Sequence, residues 1–453
     1  MPNGKYLDKL MATRHLTEEL CRPLQVEDYV VQPEDCVSPP KWHLAHTTWF
    51  FETFLLKEFQ PGYKPYDPDF NFLFNSYYET LGSGSAHSDK ARRGTYSRPT
   101  VEEVYRYRHH VEACLGELCA SSQGSGDEVR ALLELGLHHE QQHQELLLTD
   151  IKRILHGNPS RPAYVPRPKG NTHVTVSPRR WIEVRGGSRD IGWAGEGFAF
   201  DNEKPRHRIF LRDFRIEDRL VSNCRYLDFM RDGGYGRPEL WLSDGWRHVV
   251  REGWRAPLYW EEADGKGKPA SGGTWTEFTL HGQMPLDPDA PVCHVSYFEA
   301  DAFARWSHAR LPTEGEWETA AAGAHMGEAK GISSGAAAPA GAAAPAGAGP
   351  ESEARPTEAR HLHPAAIEGA GREMHRSVGE AWEWTASAYL PYPGFAPLPG
   401  SVGEYNGKFM MDQMVLRGGS CVTPRGHTRP TYRNFFPAVT RWQFSGIRLA
   451  EDI

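Results

Sequence analysis

A change of texture near residue 160 constrains this chain more than any other feature. From about residue 5 to residue 157, apolar side chains recur three and four apart, the spacing of one buried helical face. "YLDKLMATRHLTEELCRPL", "PPKWHLAHTTWFFETFLLKEF", "TVEEVYRYRHHVEACLGELC" and "ELGLHHEQQHQELLLTDIKRIL" all carry that spacing. Pro39-Pro40 and Pro99-Thr100 give start and cap signals for the second and third of them. Four such segments joined by loops predict a bundle. After "HGNPSRPAYVPRPKG" the segments shorten, break at turn residues and fill with glycine, and most of the 14 tryptophans lie beyond residue 180. That part predicts an α+β fold with irregular connections and helices near "SYFEADAFARWSHARL" and "TEGEWETAAAG". At 453 residues the chain exceeds one ordinary core, so two domains are expected, residues 1–160 and 176–453. Inside the second, "GISSGAAAPAGAAAPAGAGP" has too little apolar bulk to bury, and residues 326–360 read as a disordered surface insertion without chemistry.

Composition narrows the function. A net charge of −8 argues against a phosphate-backbone partner, so no nucleic acid is expected. No apolar run approaches the roughly 18 residues of a membrane span, and "MPNGKYLDKLMATRHLTEEL" has no apolar core of a secretory signal. The seven cysteines (Cys21, Cys36, Cys114, Cys119, Cys224, Cys293, Cys421) form no C-x-x-C pair. An odd, scattered set of this kind reads as reduced thiols in a cytoplasmic protein. The expected assembly is a monomer or weak oligomer.

His139-Glu140-Gln141-Gln142-His143 reads literally as H-E-x-x-H, the zinc-protease signature with its glutamate as base. His139 and His143 are four apart and share a helix face with room for one ion, whereas His138 points elsewhere. The pair recurs with Leu132, Gly136, Leu147 and Ile151, so it faces the bundle interior, where unpartnered imidazoles are costly and a metal satisfies them. Core histidines bonded to backbone or water are the alternative. His46 lies on the inward stripe of another helix with Trp42, Trp49, Phe50 and Thr53, and is the candidate third ligand. Three neutral imidazoles with vacant positions suit Fe(II) oxygen chemistry as well as zinc, and spacing does not choose between them.

"SPPKWHLAHTTWFFETFLL", "FNSYYETLG", "RRGTYSRPT" and "HHEQQHQELLLTDI" resemble the DinB-like helical domain of the ergothioneine-biosynthetic sulfoxide synthases. "VRGGSRDIGW", "FDNEKPRHRIFLRDFRI", "SNCRYLDFM", "RLPTEGEWETAA", "GEAWEWT", "LRGGSC" and "FSGIRLA" resemble the formylglycine-generating-enzyme/sulfatase-modifying-factor domain. Together they cover nearly the whole chain. The fold implied is multidomain α and α+β: an N-terminal DinB-like four-helix bundle followed by a C-type-lectin-like, formylglycine-generating-enzyme-type α+β domain. In that family a non-heme Fe(II) is held by one histidine of an L-A-H stretch and two of H-x-x-x-H, which here are His46, His139 and His143. The implied reaction joins a thiol sulfur to imidazole C2 of hercynine with O2, giving a sulfoxide. Gln142 resembles the family's residue near the substrate imidazole. "YRNFFP" resembles a pocket-lining segment, with Asn434 facing the amino-acid end. Phe435, Phe436 and Trp384 are candidates for the quaternary ammonium or for ordinary core packing.

The departures from the family pattern are informative. Members that use γ-glutamylcysteine have a tyrosine three residues before a second one; here Tyr405 matches the second, but the first position is Val402. They also have an aspartate two residues after the asparagine, where this chain has Phe436. Tyr77-Tyr78 instead resembles the subtype with a tyrosine pair in the first domain. A phenol there can supply a proton and steer the outcome to sulfoxide over simple thiol oxidation, so the catalytic role is assigned to Tyr77 and Tyr78, unranked. Free cysteine becomes the expected donor ahead of γ-glutamylcysteine. Arg92 and Arg93 are candidates for gripping its carboxylate, or surface residues. The rivals within the machinery are a 5-histidylcysteine sulfoxide synthase, which usually carries a methyltransferase domain, and a selenoneine synthase. A formylglycine-generating enzyme would need cysteine ligands to copper that have no place here. Outside it stand a zinc metallopeptidase with Glu140 as base and a non-catalytic lectin-like binding protein.

Overall fold

The computed structural model describes residues 2–81, 87–167, 178–262, 275–329, 362–366, 374 and 379–453. They form two compact units. The first holds residues 1–166 with two short later segments, 398–405 and 422–427; the second holds 167–397, 406–421 and 428–453.

Four long helices build the first unit: α1 (Pro2–Cys21), α2 (Pro40–Phe51), α3 (Val101–Ala120) and α4 (Asp127–Gly157). Pro39 is extended and Pro40 opens α2, where the missing N–H costs nothing. At the start of α3 the Thr100 hydroxyl accepts from Glu103 N at 3.2 Å, and the Glu103 carboxylate accepts from Thr100 N at 2.6 Å. This reciprocal cap satisfies two orphan donors. Asp127 and Glu128 in the first turn of α4 complement its dipole. α1 packs on α4, and α2 packs on both α3 and α4. Every residue of α2 is buried, which explains why its sequence shows little polar face. The helix continues as a π-turn over Glu52–Leu56. There the buried Glu52 carboxylate accepts from the Tyr63 hydroxyl at 2.7 Å, the Tyr107 hydroxyl at 2.6 Å and Tyr66 N at 2.8 Å.

Gly136 sets how closely α4 approaches α2. A Cβ added there would lie 2.3 Å from Phe51 Cε1, so only glycine permits this contact without a shift. It lies one turn before His139, and the close approach brings the histidines of α4 toward α2.

The second unit is α+β with long connections. Its strands are β1 (Trp181–Val184), β2 (Gly187–Ile191), β3 (His207–Leu211), β4 (Phe214–Glu217), β5 (Trp260–Glu262), β6 (Trp275–Thr279), β7 (Gly282–Pro285), β8 (Trp382–Ala388), β9 (Met414–Arg417), β10 (Asn434–Phe436), β11 (Ser445–Gly446) and β12 (Ala450–Asp452). They form sheets ordered β1-β4-β12, β10-β9-β8-β11, β2-β3 and β5-β6-β7; all pairings are antiparallel except β11 with β8. Leu211, Phe214, Ile216 and Trp317 centre one buried apolar cluster. The buried charges are paired: Glu383 accepts from Arg448 Nη2 at 2.8 Å and from Trp317 Nε1 at 2.6 Å. Glu314 accepts from Arg417 Nη2 and Arg433 Nε, each at 2.9 Å.

The two expected helices of this unit run over Tyr297–Trp306 and Glu314–Ala329. The second continues four residues into the stretch read as an insertion from 326, because "ETAAAGAHMGEA" is good helix-forming sequence. The rest of that stretch, 330–360, lies outside the described residues. Among the described residues no helix is long and apolar enough to cross a membrane.

Candidate metal centre

His46 on α2 and His139 and His143 on α4 converge inside the first unit, with ligand-capable atoms all within 4.8 Å of one another. Their ring centroids are 5.0, 4.8 and 4.7 Å apart. The rings are 1%, 2% and 8% exposed. Burial, then the neighbouring His139, pulls the His46 pKa well below its ordinary value. Burial takes His139 to about 3, and burial followed by His139 and His46 lowers His143. All three rings are therefore neutral and carry the lone pairs a metal requires.

Their other nitrogens differ. His46 Nδ1 donates to Phe74 O at 2.6 Å, which leaves Nε2 as the ligand atom. His143 Nδ1 meets His43 Nδ1 at 2.9 Å, and His43 Nε2 meets Asp150 Oδ2 at 3.0 Å. His139 Nδ1 is buried and makes no hydrogen bond. A buried polar atom without a partner costs about 1–3 kcal/mol, and a cluster that leaves one while aiming three imidazoles together fits an ion.

The walls are aromatic. Trp42 stacks on His46 at 4.4 Å and 10°, and Trp49 is also stacked against it at 5.6 Å and 17°. Phe50 lies 4.6 Å from His139. Fully buried Tyr78 packs on Trp49 and Phe54 at 5.6 and 5.2 Å and stacks on Tyr77 at 4.6 Å. Burial, then the phenols of Tyr77 and Tyr405, pushes its pKa well above the ordinary value. Asn75 holds this turn: its Nδ2 donates to Tyr78 O at 2.9 Å and its Oδ1 accepts from Tyr78 N at 3.0 Å.

The later segments of the first unit add polar groups beside α4. The Tyr405 ring stands edge-on to His139 at 5.5 Å, and its hydroxyl donates to Gln142 Oε1. His427, 1% exposed, meets Gln141 Oε1 at 3.0 Å and His138 Nδ1 at 3.2 Å. Glu140 faces away from the histidine cluster. It accepts from Arg14 Nη1 at 3.1 Å, from Thr17 Oγ1 at 2.8 Å and from Arg108 Nη2. A carboxylate held by two buried guanidiniums is not available as the base of a peptidase, which removes the physical basis of that rival.

The two arginine candidates separate. Arg92 is exposed. Arg93 is buried, its guanidinium 3.4 Å from the Trp42 ring centroid and its Nη1 donating to Ser38 Oγ at 2.9 Å, while Nε has no partner. Asn434, Phe435 and Phe436 form β10 of the second unit and are half-buried. Phe435 stacks on Tyr389 at 4.0 Å, and Phe436 meets Trp442 edge-on at 5.0 Å. Trp384 is fully buried, with Nε1 donating to Val295 O at 2.9 Å, and is a core residue.

Four residues of this neighbourhood escaped the sequence reading: His43, Asp150, His427 and the position of Tyr405. His43 sits three residues before His46 and Asp150 seven after His143, so helical spacing held a signal for that pair. His427 comes from a loop and gave none, while Tyr405 was marked by its match to the family's second tyrosine, without its place beside His139.

A helical module with an inward histidine cluster, joined to an α+β module, defines a two-domain enzyme class, and both halves match known domains. Residues 9–147 match the DinB superfamily and residues 168–453 match the sulfatase-modifying factor enzyme 1-like domain. The chain belongs to the hercynine oxygenase family. It is 32% identical over 426 residues to the hercynine oxygenase of Mycolicibacterium smegmatis, covering 92% of each chain. It is equally 32% identical over 449 residues to that of Mycobacterium tuberculosis, covering 97% of this chain and 98% of the relative. The formylglycine-generating enzyme of Streptomyces coelicolor is 29% identical over 258 residues, covering 54% of this chain and 79% of that protein.

Proposed function

We propose that the protein is an Fe(II)- and O2-dependent sulfoxide synthase of ergothioneine biosynthesis, joining the sulfur of cysteine, or secondarily γ-glutamylcysteine, to imidazole C2 of hercynine. One observation carries this reading: three buried, neutral imidazoles from two helices with ligand atoms within 4.8 Å, in a member of the hercynine oxygenase family. His46, His139 and His143 would hold the ion. Bound there, ferrous iron would supply the one-electron steps by which triplet dioxygen can react with a closed-shell thiol.

The chain's own residues do the rest. Trp42, Trp49 and Phe50 wall the histidines and keep water out, which strengthens every polar contact inside. Burial and the neighbouring phenols push the Tyr78 pKa well above its ordinary value, which favours the protonated phenol, and Tyr78 is our candidate proton donor together with Tyr77. The Tyr405 hydroxyl fixes the Gln142 carboxamide, which orients it for the hercynine imidazole. Buried Arg93, with a free Nε, is the candidate for the donor carboxylate; exposed Arg92 is the weaker one. Asn434, Phe435 and Phe436 are assigned to hercynine on the family resemblance alone. We assign the reaction to the reducing cytoplasm, because the odd, scattered set of seven cysteines reads as reduced thiols and the substrate is itself a thiol.

The test loads apo protein with Fe(II) anaerobically, adds hercynine, O2 and either cysteine or γ-glutamylcysteine, and weighs the product. The expected product is the hercynine–cysteine sulfoxide. His46→Ala should lose iron binding and turnover together. Turnover retained in that variant would refute the ligand assignment.

A further inference from the structure

His46 and His143 reach the same cluster, yet their second nitrogens are managed differently. His46 Nδ1 is fixed by a backbone carbonyl, which can only accept, so its proton position is set. His143 Nδ1 instead faces another imidazole, His43, at 2.9 Å. One hydrogen shared between these two nitrogens has two possible owners, and they differ in which nitrogen of His143 bears the lone pair. The far side of His43 removes the ambiguity. Asp150 Oδ2 lies 3.0 Å from His43 Nε2, and the same oxygen accepts from Ser38 N at 2.9 Å. Asp150 is 2% exposed and His43 is also 2% exposed.

The Asp150 oxygen that accepts from Ser38 N also faces His43 Nε2, so it accepts from that nitrogen and His43 carries its hydrogen on Nε2. With the hydrogen of His43 on Nε2, its Nδ1 offers the lone pair and accepts from His143 Nδ1–H. His143 Nε2 is left bare. We propose that Asp150 and His43 form a relay that fixes the tautomer and ring orientation of His143, making them positioning residues for the metal. The relay rests on the three-histidine reading and goes beyond it, because neither residue is a ligand. Ser38 extends it: its N–H anchors the Asp150 oxygen, and its Oγ accepts from Arg93 Nη1 at 2.9 Å. Carboxylates and carbonyls behind a ligating histidine also raise its basicity.

The experiment uses the full chain with Asp150→Leu, Asp150→Asn, His43→Phe and, as control, His46→Ala. Two quantities are read: the Fe(II) dissociation constant by anaerobic titration, and the ring 15N shifts of histidine-labelled apo protein, which report the His143 tautomer without metal. Asp150→Leu and His43→Phe should weaken Fe(II) binding about 10–100-fold, and Asp150→Leu should let His143 populate both tautomers. Asp150→Asn, whose amide oxygen can still accept from Ser38 and His43, should recover most of that affinity and the single tautomer. Wild-type affinity in folded Asp150→Leu, or equal losses in the Leu and Asn variants, would overturn the relay. Unchanged affinity in His46→Ala would instead sink the three-histidine site itself.

Discussion

In a peptidase of the H-E-x-x-H type the glutamate must reach the water beside the metal, and at Glu140 the side chain has turned the other way. Arg14 and Arg108 both donate to it in a site where all three side chains are 0% exposed. Burial raises a carboxyl pKa, but here the two guanidiniums win and hold Glu140 below its ordinary value. Its role is to balance buried charge, and the five-letter motif is a coincidence of spacing. Glu140→Gln should therefore behave as a broken buried ion pair, costing about 3–5 kcal/mol of folding free energy. Urea denaturation of the apo protein measures it. A loss under about 1 kcal/mol, within the range of exposed pairs, would contradict this account, as would metal-dependent peptide cleavage in the wild type. The same five letters show what a sequence can and cannot carry. The i, i+4 spacing of His139 and His143 dictates a shared face, so their convergence was legible. Which way Glu140 points depends on Arg14 and Arg108 from two other helices, and no local pattern encodes that.

The helices α2 and α4 make the histidine cluster possible by lying closer than large side chains allow. Gly136 faces the Phe51 ring, with Phe50 beside it at 3.1 Å from the same built Cβ. The apolar stripe of α4 predicted that residue 136 faces inward, but only the partner helix explains why it must be glycine. Gly136→Ala adds one methyl group where there is no room, and overpacking of this kind costs about 1–3 kcal/mol. Because His139 follows one turn later, the strain should appear as helix separation at the histidine cluster as well as lost stability. Fe(II) affinity is expected to fall while the far-UV circular dichroism remains that of a helical bundle. If affinity were unchanged and only the melting temperature fell, the close approach would be a packing detail without bearing on the centre. The four helices of the first unit and the two expected in the second were legible because each carries its own apolar period, whereas the helices over Asn223–Arg231 and Ser243–Glu252 were not singled out. The strands of the second unit were not, since many have only two to five residues and their pairing is set by distant partners.

At the scale of the whole molecule, the first unit is not a continuous stretch of chain. Residues 398–405 and 422–427 complete it, and they bear on the turn that carries the tyrosine pair. The Glu404 carboxylate accepts from Glu79 N and Thr80 N, each at 3.1 Å, and from Thr80 Oγ1 at 2.5 Å. Thr80 Oγ1 also lies 2.7 Å from Ser401 Oγ. Thr80 and Glu404 are 324 residues apart in sequence, so the domain order alone, which the motifs revealed, could not show that the later chain braces the earlier one. Tyr77 and Tyr78 immediately precede the braced amides. Removing the carboxylate leaves the histidines untouched but frees the end of the tyrosine turn. Three solvent-accessible hydrogen bonds are worth about 0.5–1.5 kcal/mol each before water replaces them, so Glu404→Ala should fold normally. Its Fe(II) affinity should match the wild type, whereas the share of consumed thiol that ends as sulfoxide should fall several-fold in favour of simple thiol oxidation. Product analysis by mass against total oxygen uptake reads that share directly. An unchanged ratio would mean that the tyrosine turn is held by Asn75 and its own packing alone, and that the late segment serves the first unit without touching the outcome of the reaction.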